Sequence, residues 1–249
     1  MNSYKILGVN VSDTTFNKII DAIGEAIKNN HKIQICTTNN EFIIEARKNH
    51  HFKSIINGCD ISTADSTGVV WAIKRIYGKN IQKIPGVDLF DKICATAKLR
   101  QFRIFLLGGE KSIALKAKKI LQRRYIGLHI VGSIDGIKID PRATDQKLIA
   151  TINKAKPDIV AVALGAPKQE EWIFKNKKLI RANVFIGLGG TFDYISGKIH
   201  RAPKGWQNAG LEWLYRLFHQ PARIVRILKA VVLFPVIVVL KAKTEVDNN

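Results

Sequence analysis

The sequence predicts an α/β fold: a parallel sheet with helices on both faces, followed by a helical C-terminal appendage. Three observations carry this. Short apolar runs recur at Ile33 to Thr37, Phe102 to Leu107, His129 to Ser133, Asp158 to Leu164 and Val184 to Leu188. Amphipathic stretches of helical length separate them, the pattern of strands covered on both faces. After Ser196-Gly197 the alternation stops and an aromatic, arginine-bearing tail begins. The chain therefore divides into 1–195, the sheet domain, and 196–249, a basic and amphipathic appendage.

A chain of 249 residues, 46% hydrophobic and 8% aromatic, suits one sizeable domain with a small addition and excludes a disordered polymer. Forty Lys/Arg against twenty Asp/Glu give a net charge of +20, which implies an anionic partner. Between Lys198 and Lys243 stand nine basic residues and one acid, Glu212, amid many apolar side chains. That mixture favours an anionic membrane surface over a nucleic-acid groove. No helix-turn-helix, RRM or zinc-finger pattern supports a nucleic-acid partner. The longest apolar run, Ala230 to Leu240, is shorter than the roughly 20 residues that span a bilayer. With no basic-then-apolar leader, the expectation is a cytoplasmic chain, peripheral on the inner face of the membrane. Cys36, Cys59 and Cys94 are odd in number, lack C-x-x-C spacing and read as buried or free thiols of a reducing compartment, not a disulfide frame or a zinc site. The six histidines are scattered and no D-x-D pair occurs, so neither a metal nor a cofactor is expected.

In order, Tyr4 to Val11 reads as an edge strand. A helix from about Thr15 to Asn29 follows, with Asp13 as its cap. The strand from Ile33 breaks at Thr38-Asn39-Asn40 into a helix near Glu41. Thr37 and Asn39 thus stand at the carboxyl end of a strand, where open α/β sheets take ligands; Asn39 or Asn40 serves equally as a helix cap. Asp65, between the segment from Cys59 and the helix VVWAIKRIYG, is either an N-cap carboxylate worth about 1 kcal/mol or a general base. Spacing does not choose. Lys83 to Asp88 makes a turn into the next helix, with Asp88 orienting Lys83 or capping.

Phe102 to Leu107 empties into Gly108-Gly109-Glu110 and a helix through Leu121. This strand–Gly–Gly–helix unit is Rossmann-like, its helix N-terminus aimed at an anion. It lacks the full G-x-G-x-x-G fingerprint, which weakens a nicotinamide-dependent dehydrogenase reading. The strand from His129, a turn at Asp135-Gly136 and a helix from about Thr144 to Lys154 come next. Asp158 to Leu164 then runs into Gly165-Ala166-Pro167-Lys168-Gln169-Glu170 and a helix carrying Trp172. Val184 to Leu188 leads to Gly189-Gly190-Thr191-Phe192-Asp193, where bare backbone can approach a phosphate and Asp193 can accept from a hydroxyl. In the tail, Leu211 to Phe218 is helical, Pro221 stops it and starts another helix toward Leu240, and Pro235 kinks or breaks that one. Arg216, Arg223 and Arg226 follow at intervals of seven and three. Ala230 to Leu240, flanked by Lys229, Lys241 and Lys243, suits an interfacial anchor or a homo-oligomer contact.

The strings LGAPKQEEWI and GGTFDYISG, followed by RAP, GLEWLYRL and QPAR, resemble the signature of the WecG/TagA/CpsF family of bacterial glycosyltransferases. The resemblance covers nearly the whole chain and is looser toward the N-terminus. It implies an inverting transfer of a hexose from a UDP-sugar to a polyprenyl-diphosphate-linked GlcNAc. TagA-like members make the teichoic acid linkage unit with UDP-N-acetylmannosamine; UDP-N-acetylmannosaminuronate or another UDP-hexose is the alternative donor. By this resemblance Asp65, in its A-D-x-x-G-V segment, is the catalytic base. Thr37 and Asn39 position the sugar or acceptor. Lys83 stands where the family usually has Arg, keeping the charge without the bidentate fork. Gly108, Gly109, Gly165, Gln169 and Asp193 form the UDP-sugar pocket, with Gln169 on the uracil edge. Arg201, Arg216, Arg223 and Arg226 bind the diphosphate of the acceptor or stabilise departing UDP. Without a D-x-D pair, lysines, arginines and helix N-termini would neutralise that leaving group.

Overall fold

Successive side chains of a strand point to opposite faces, so a strand that is apolar throughout must be covered twice. The computed structural model, which describes residues 2–208, 210–219 and 228–246, meets this demand with a six-stranded sheet. Its strands are β3 (Ile33–Thr38), β4 (Ile61–Ala64), β5 (Arg103–Gly108), β6 (His129–Ile134), β7 (Ile159–Ala163) and β8 (Val184–Gly187). They lie in the order β4-β3-β8-β7-β5-β6, and every pairing is parallel. All carboxyl ends therefore share one edge.

The alternation within strands sorts the core. Ile104, Leu106, Ile159, Ala161, Val184 and Ile186 pack toward α1 (Phe16–Lys28), α5 (Gly86–Arg100) and α6 (Ile113–Arg124). Their neighbours Phe105, Leu107, Val160, Val162 and Phe185 pack toward α7 (Gln146–Ala155) and α8 (Lys168–Asn176), around the buried Trp172. Near β3 and β4, a third cluster joins α2 (Asn40–Lys48), α3 (His50–Asn57) and α4 (Thr67–Tyr77). Past β8 the chain forms the short α9 (Thr191–Ile195) and α10 (Lys204–Asn208), then α11 (Glu212–His219). A π-helical turn (Lys229–Leu233) leads into α12 (Phe234–Val246).

Four sequence expectations change. The run from Tyr4 is not an edge of the main sheet. It is an antiparallel hairpin of β1 (Ser3–Ile6) and β2 (Val9–Ser12). Leu7 and Gly8 both take left-handed φ, 50° and 79°, as a two-residue hairpin turn requires. The cap of α1 is Thr15, whose Oγ1 accepts from the Lys18 N–H at 3.3 Å, and not Asp13. Cys36 and Cys59 are joined as a disulfide, Cα atoms 6.5 Å apart, because parallel pairing brings β3 beside the start of β4; Cys94 is a buried free thiol. The break at Pro235 takes the form of the π-helical turn before it, since the ring and the missing N–H disturb the preceding ladder. Pro221 lies outside the described residues.

The tail is attached by burial. Phe234 and Val238 of α12 are fully buried among Val69, Ala72, Ile73 and Ile76 of α4 and the hairpin. Val232, Val236, Val239 and Leu240 are exposed. No helix of the described residues is long and apolar enough to cross a membrane. Removing a buried aromatic ring costs about 3–5 kcal/mol. Phe234→Ala is accordingly expected to undock α12 while sparing the sheet. Hydrogen exchange should accelerate across 234–246 and stay slow in β5, β7 and β8; slow exchange throughout would contradict this docking.

Candidate functional site

The parallel arrangement leaves Thr37 of β3 and the residues just beyond the carboxyl ends of β4, β7 and β8 around one cavity of about 300 Å³, at the lower end of small-molecule sites. Thr37, Asp65, Gly165 and Gly189 line it, and Ala230 and Val231 of the tail close one side. Each wall is fixed by a side chain that satisfies backbone at a strand or helix end.

Thr37, buried at the end of β3, donates through Oγ1 to the Gly187 carbonyl at 3.0 Å, tying β3 to β8. Asn39 caps α2, its Oδ1 accepting from the Phe42 N–H at 3.2 Å, and also lines the cavity. Asn40, read from sequence only as an alternative cap, joins three segments. Its Nδ2 donates to the Ala230 carbonyl at 2.8 Å, and its Oδ1 accepts from Ser66 Oγ at 2.7 Å. A Cβ on Gly68 would collide with the same amide. Nothing local in the sequence announces this, because Ala230 is 190 residues away.

The cap of α4 is Ser66, which accepts from the Val69 N–H. Asp65 serves a different helix: its Oδ1 accepts from the Gly86 N–H at 2.6 Å, at the first turn of α5. A carboxylate at a helix N-terminus is electrostatically favoured, so the fold holds Asp65 in place with its charge against α5. Asp88, one turn on, neither orients Lys83 nor serves as a side-chain cap. Both its oxygens meet the guanidinium fork of Arg201, one at 2.9 Å. This pair raises the Arg201 pKa, against the opposing effect of burial, with Glu212 and Tyr194 adding to the rise. Arg201 thus links α5, α9 and the start of α11. Its Nε is buried without a partner among the described residues.

On the other wall, Gln169 is only 1% exposed, so it does not project into solvent from α8. Its Oε1 accepts from the Gly189 N–H at 2.8 Å and its Nε2 donates to Glu170 Oε1 at 2.7 Å. Glu170 is fully buried, and burial pushes its carboxyl up to about 8. Sequence reading passed over Glu170; a glutamate beside Gln169 in the first turn of a helix looks like an ordinary solvated residue.

Gly108, Gly109 and Asp193 lie outside the cavity lining. Gly108 has no room for a Cβ against the Ala163 carbonyl, and the Gly109 N–H donates to that carbonyl at 2.9 Å. The anion expected at the N-terminus of α6 is the protein's own. Asp135 accepts from the Ser112 and Leu115 N–H groups at 2.9 and 3.0 Å. Asp193 faces Lys198 at 3.6 Å, and Lys198 also pairs with Glu110 at 2.6 Å. Arg216 belongs to α11, but its side chain lies outside the described residues, as do Arg223 and Arg226 altogether.

Among the described lining residues the acids are Glu41, Asp65 and Glu212, and the cations are Lys83 and Arg201. The Arg201–Asp88 pair is partly exposed, at 23% and 43%. Solvent screening limits it to about 1 kcal/mol of coupling. A double-mutant cycle of Arg201→Ala and Asp88→Asn, read by denaturant unfolding, should return a value of that order; additive losses would mean that the pair does not stabilise the fold.

Comparison with known proteins meets this geometry with a name. The sequence profile described as the glycosyl transferase WecG/TagA/CpsF family matches residues 4–248. A protein of Bacillus spizizenii is 36% identical over 195 residues, 78% of this chain and 74% of that protein. One of Staphylococcus aureus is 31% identical over 248 residues, 98% of this chain and 94% of that protein. Both are named N-acetylglucosaminyldiphosphoundecaprenol N-acetyl-beta-D-mannosaminyltransferase. With its profile matched over nearly the entire length, this chain belongs to the WecG/TagA/CpsF family and is a glycosyltransferase.

Proposed function

We propose that the chain transfers N-acetylmannosamine from UDP-N-acetylmannosamine to a polyprenyl-diphosphate-linked GlcNAc, with inversion and without a metal, in cell-surface polymer synthesis. The observation that carries the reading is the Asp65 carboxylate, held on the Gly86 N–H at the wall of a cavity in a chain similar to two mannosaminyltransferases. In this reading Asp65 takes the proton of the acceptor hydroxyl. The acceptor oxygen bonds to the anomeric carbon from the side opposite UDP, and the carbon–oxygen bond to UDP breaks. The transition state is oxocarbenium-like, by analogy with glycosidases.

Thr37 and Asn39 position the reacting sugars beside Asp65. Gly165, Gln169 and the Gly189-Gly190 turn form the donor wall. Gly108, Gly109 and Asp193 flank that wall along the same sheet edge and serve the far end of the nucleotide. Lys83, with Arg201, Arg216, Arg223 and Arg226, neutralises the diphosphates. The appendage rests on the inner face of the membrane, where the exposed Val232, Val236, Val239 and Leu240 meet lipid. A second copy of the chain is the alternative occupant of that apolar surface.

The test is release of UDP by the purified full chain with membranes or detergent and EDTA present. The acceptor is a soluble-chain analogue of polyprenyl-diphosphate-GlcNAc, and the donors are UDP-N-acetylmannosamine, its uronate and other UDP-hexoses. Acceptor-dependent release, greatest with UDP-N-acetylmannosamine, is expected. Loss of release in EDTA would overturn the metal-independent step, and a preference for the uronate would reassign the donor. General-base catalysis contributes about 10²–10⁴-fold. Asp65→Asn should therefore lower turnover by that factor while UDP still binds; turnover near the wild-type rate would remove Asp65 from the role.

A further inference from the structure

A carboxyl group buried without full hydrogen bonding is costly if charged, so its presence under a binding site calls for an account. Glu170 is such a group: 0% exposed, at the third position of α8, with Oε2 unpartnered among the described residues. Its Oε1 accepts from Gln169 Nε2, and Gln169 Oε1 in turn accepts from the Gly189 N–H. Both side chains press on the bare Cα of Gly187, where a Cβ would collide with Glu170 Oε1 and the Gln169 amide. Gln169, Gly189 and Gly190 line the cavity, whereas Glu170 lies behind them. The order is thus buried acid, amide, backbone N–H, cavity.

We propose that Glu170 is a positioning residue, holding Gln169 and through it the Gly189-Gly190 turn in the shape that receives the donor nucleotide. The proposal rests on the nucleotide-sugar reading of the cavity. Gln169 is buried against Gly187, and its amide can be turned either way round. Only the orientation with its oxygen toward Gly189 lets that N–H be satisfied, and Glu170 fixes it by accepting from the amide nitrogen. Glu170 does this as a neutral acid. Burial pushes its carboxyl up to about 8; the Gln169 hydrogen bond works against the shift and the charge of Glu171 adds to it. Glu171 faces Arg142 at 3.7 Å from the loop after β6. Ionised, Glu170 would leave a charge in an apolar wall, and the turn would have to open to hydrate it.

The sign follows from the two states. Unfolded, the carboxyl ionises near the ordinary 4.5; folded, it does so near 8. Wild-type protein therefore loses stability as pH rises from about 4.5 to 8, and no further loss comes from this group above that range. Glu170→Gln supplies a neutral isostere with the same acceptor for Gln169 and escapes the penalty. It should melt above wild type at pH 8, with the gap closing toward pH 5.

Binding of UDP to the full chain in detergent, by calorimetry at pH 7 and pH 9, reads the functional half. Raising the pH from 7 to 9 ionises Glu170 in most wild-type molecules, so affinity should fall several-fold. Glu170→Gln should bind as wild type does at pH 7 and lose much less at pH 9. Ionisation of uracil is common to both proteins and cancels. Glu170→Leu should lose binding at pH 7. The same decline in wild type and Glu170→Gln, or a Glu170→Gln protein that melts below wild type at pH 8, would overturn the role of Glu170 with the nucleotide reading intact. The expected melting behaviour without UDP binding to any of the three proteins would overturn the nucleotide reading instead, and the positioning role with it.

Discussion

Six parallel strands put their last carbonyls, and the first amides of the helices that follow, on one edge of the sheet. Buried backbone groups on that edge must be paired, and the site is built from the side chains that pair them. Thr37 bonds the Gly187 carbonyl, Asn39 and Ser66 cap α2 and α4, Asp65 takes the Gly86 N–H, and Gln169 takes the Gly189 N–H. The structural and chemical readings of these residues are therefore not rivals. A side chain that holds backbone in place is itself held, and a reacting group held in one geometry forgoes the entropy cost of being ordered later.

The same rule explains what the sequence could reveal. Strands covered on both faces read as unbroken apolar runs, so β3, β5, β7 and β8 are legible within a residue or two at each end. The β1–β2 hairpin is not, because its turn uses Leu7 at left-handed φ rather than the Asn-Gly or Asp-Gly that signals such turns. Nor is the Cys36–Cys59 pairing: strand adjacency creates it, and a spacing of 23 residues carries no motif.

Within the site, local caps such as Asn39 are legible and long-range partners are not. Asp65 stands before α4 in sequence but bonds the N-terminus of α5, 21 residues on. Gly108-Gly109 before α6 read as an anion site because Asp135, which accepts from the Ser112 and Leu115 N–H groups at the start of α6, arrives only with β6 alongside β5. Gln169 and Glu170 look solvated in a helix alone and become buried when α8 packs against β7 and β8.

The charges at the cavity bear on how the tail works. Glu41, Asp65 and Glu212 oppose Lys83 and Arg201, and Arg201 gives its fork to Asp88. Among the described lining residues the cations are Lys83 and Arg201, few for a donor and an acceptor that each carry a diphosphate. A single lysine also lacks the bidentate grip that an arginine has on such groups. In the proposed reaction the remaining positive charge would come from nearby chain. The tail already reaches the cavity, with the Ala230 carbonyl on Asn40 and Phe234 buried beside α4. In chain order, Arg216, Arg223 and Arg226 fall between the Trp213 and Ala230 walls. In the proposed reaction these arginines would supply that charge, so that docking of the tail and binding of the diphosphates would be coupled.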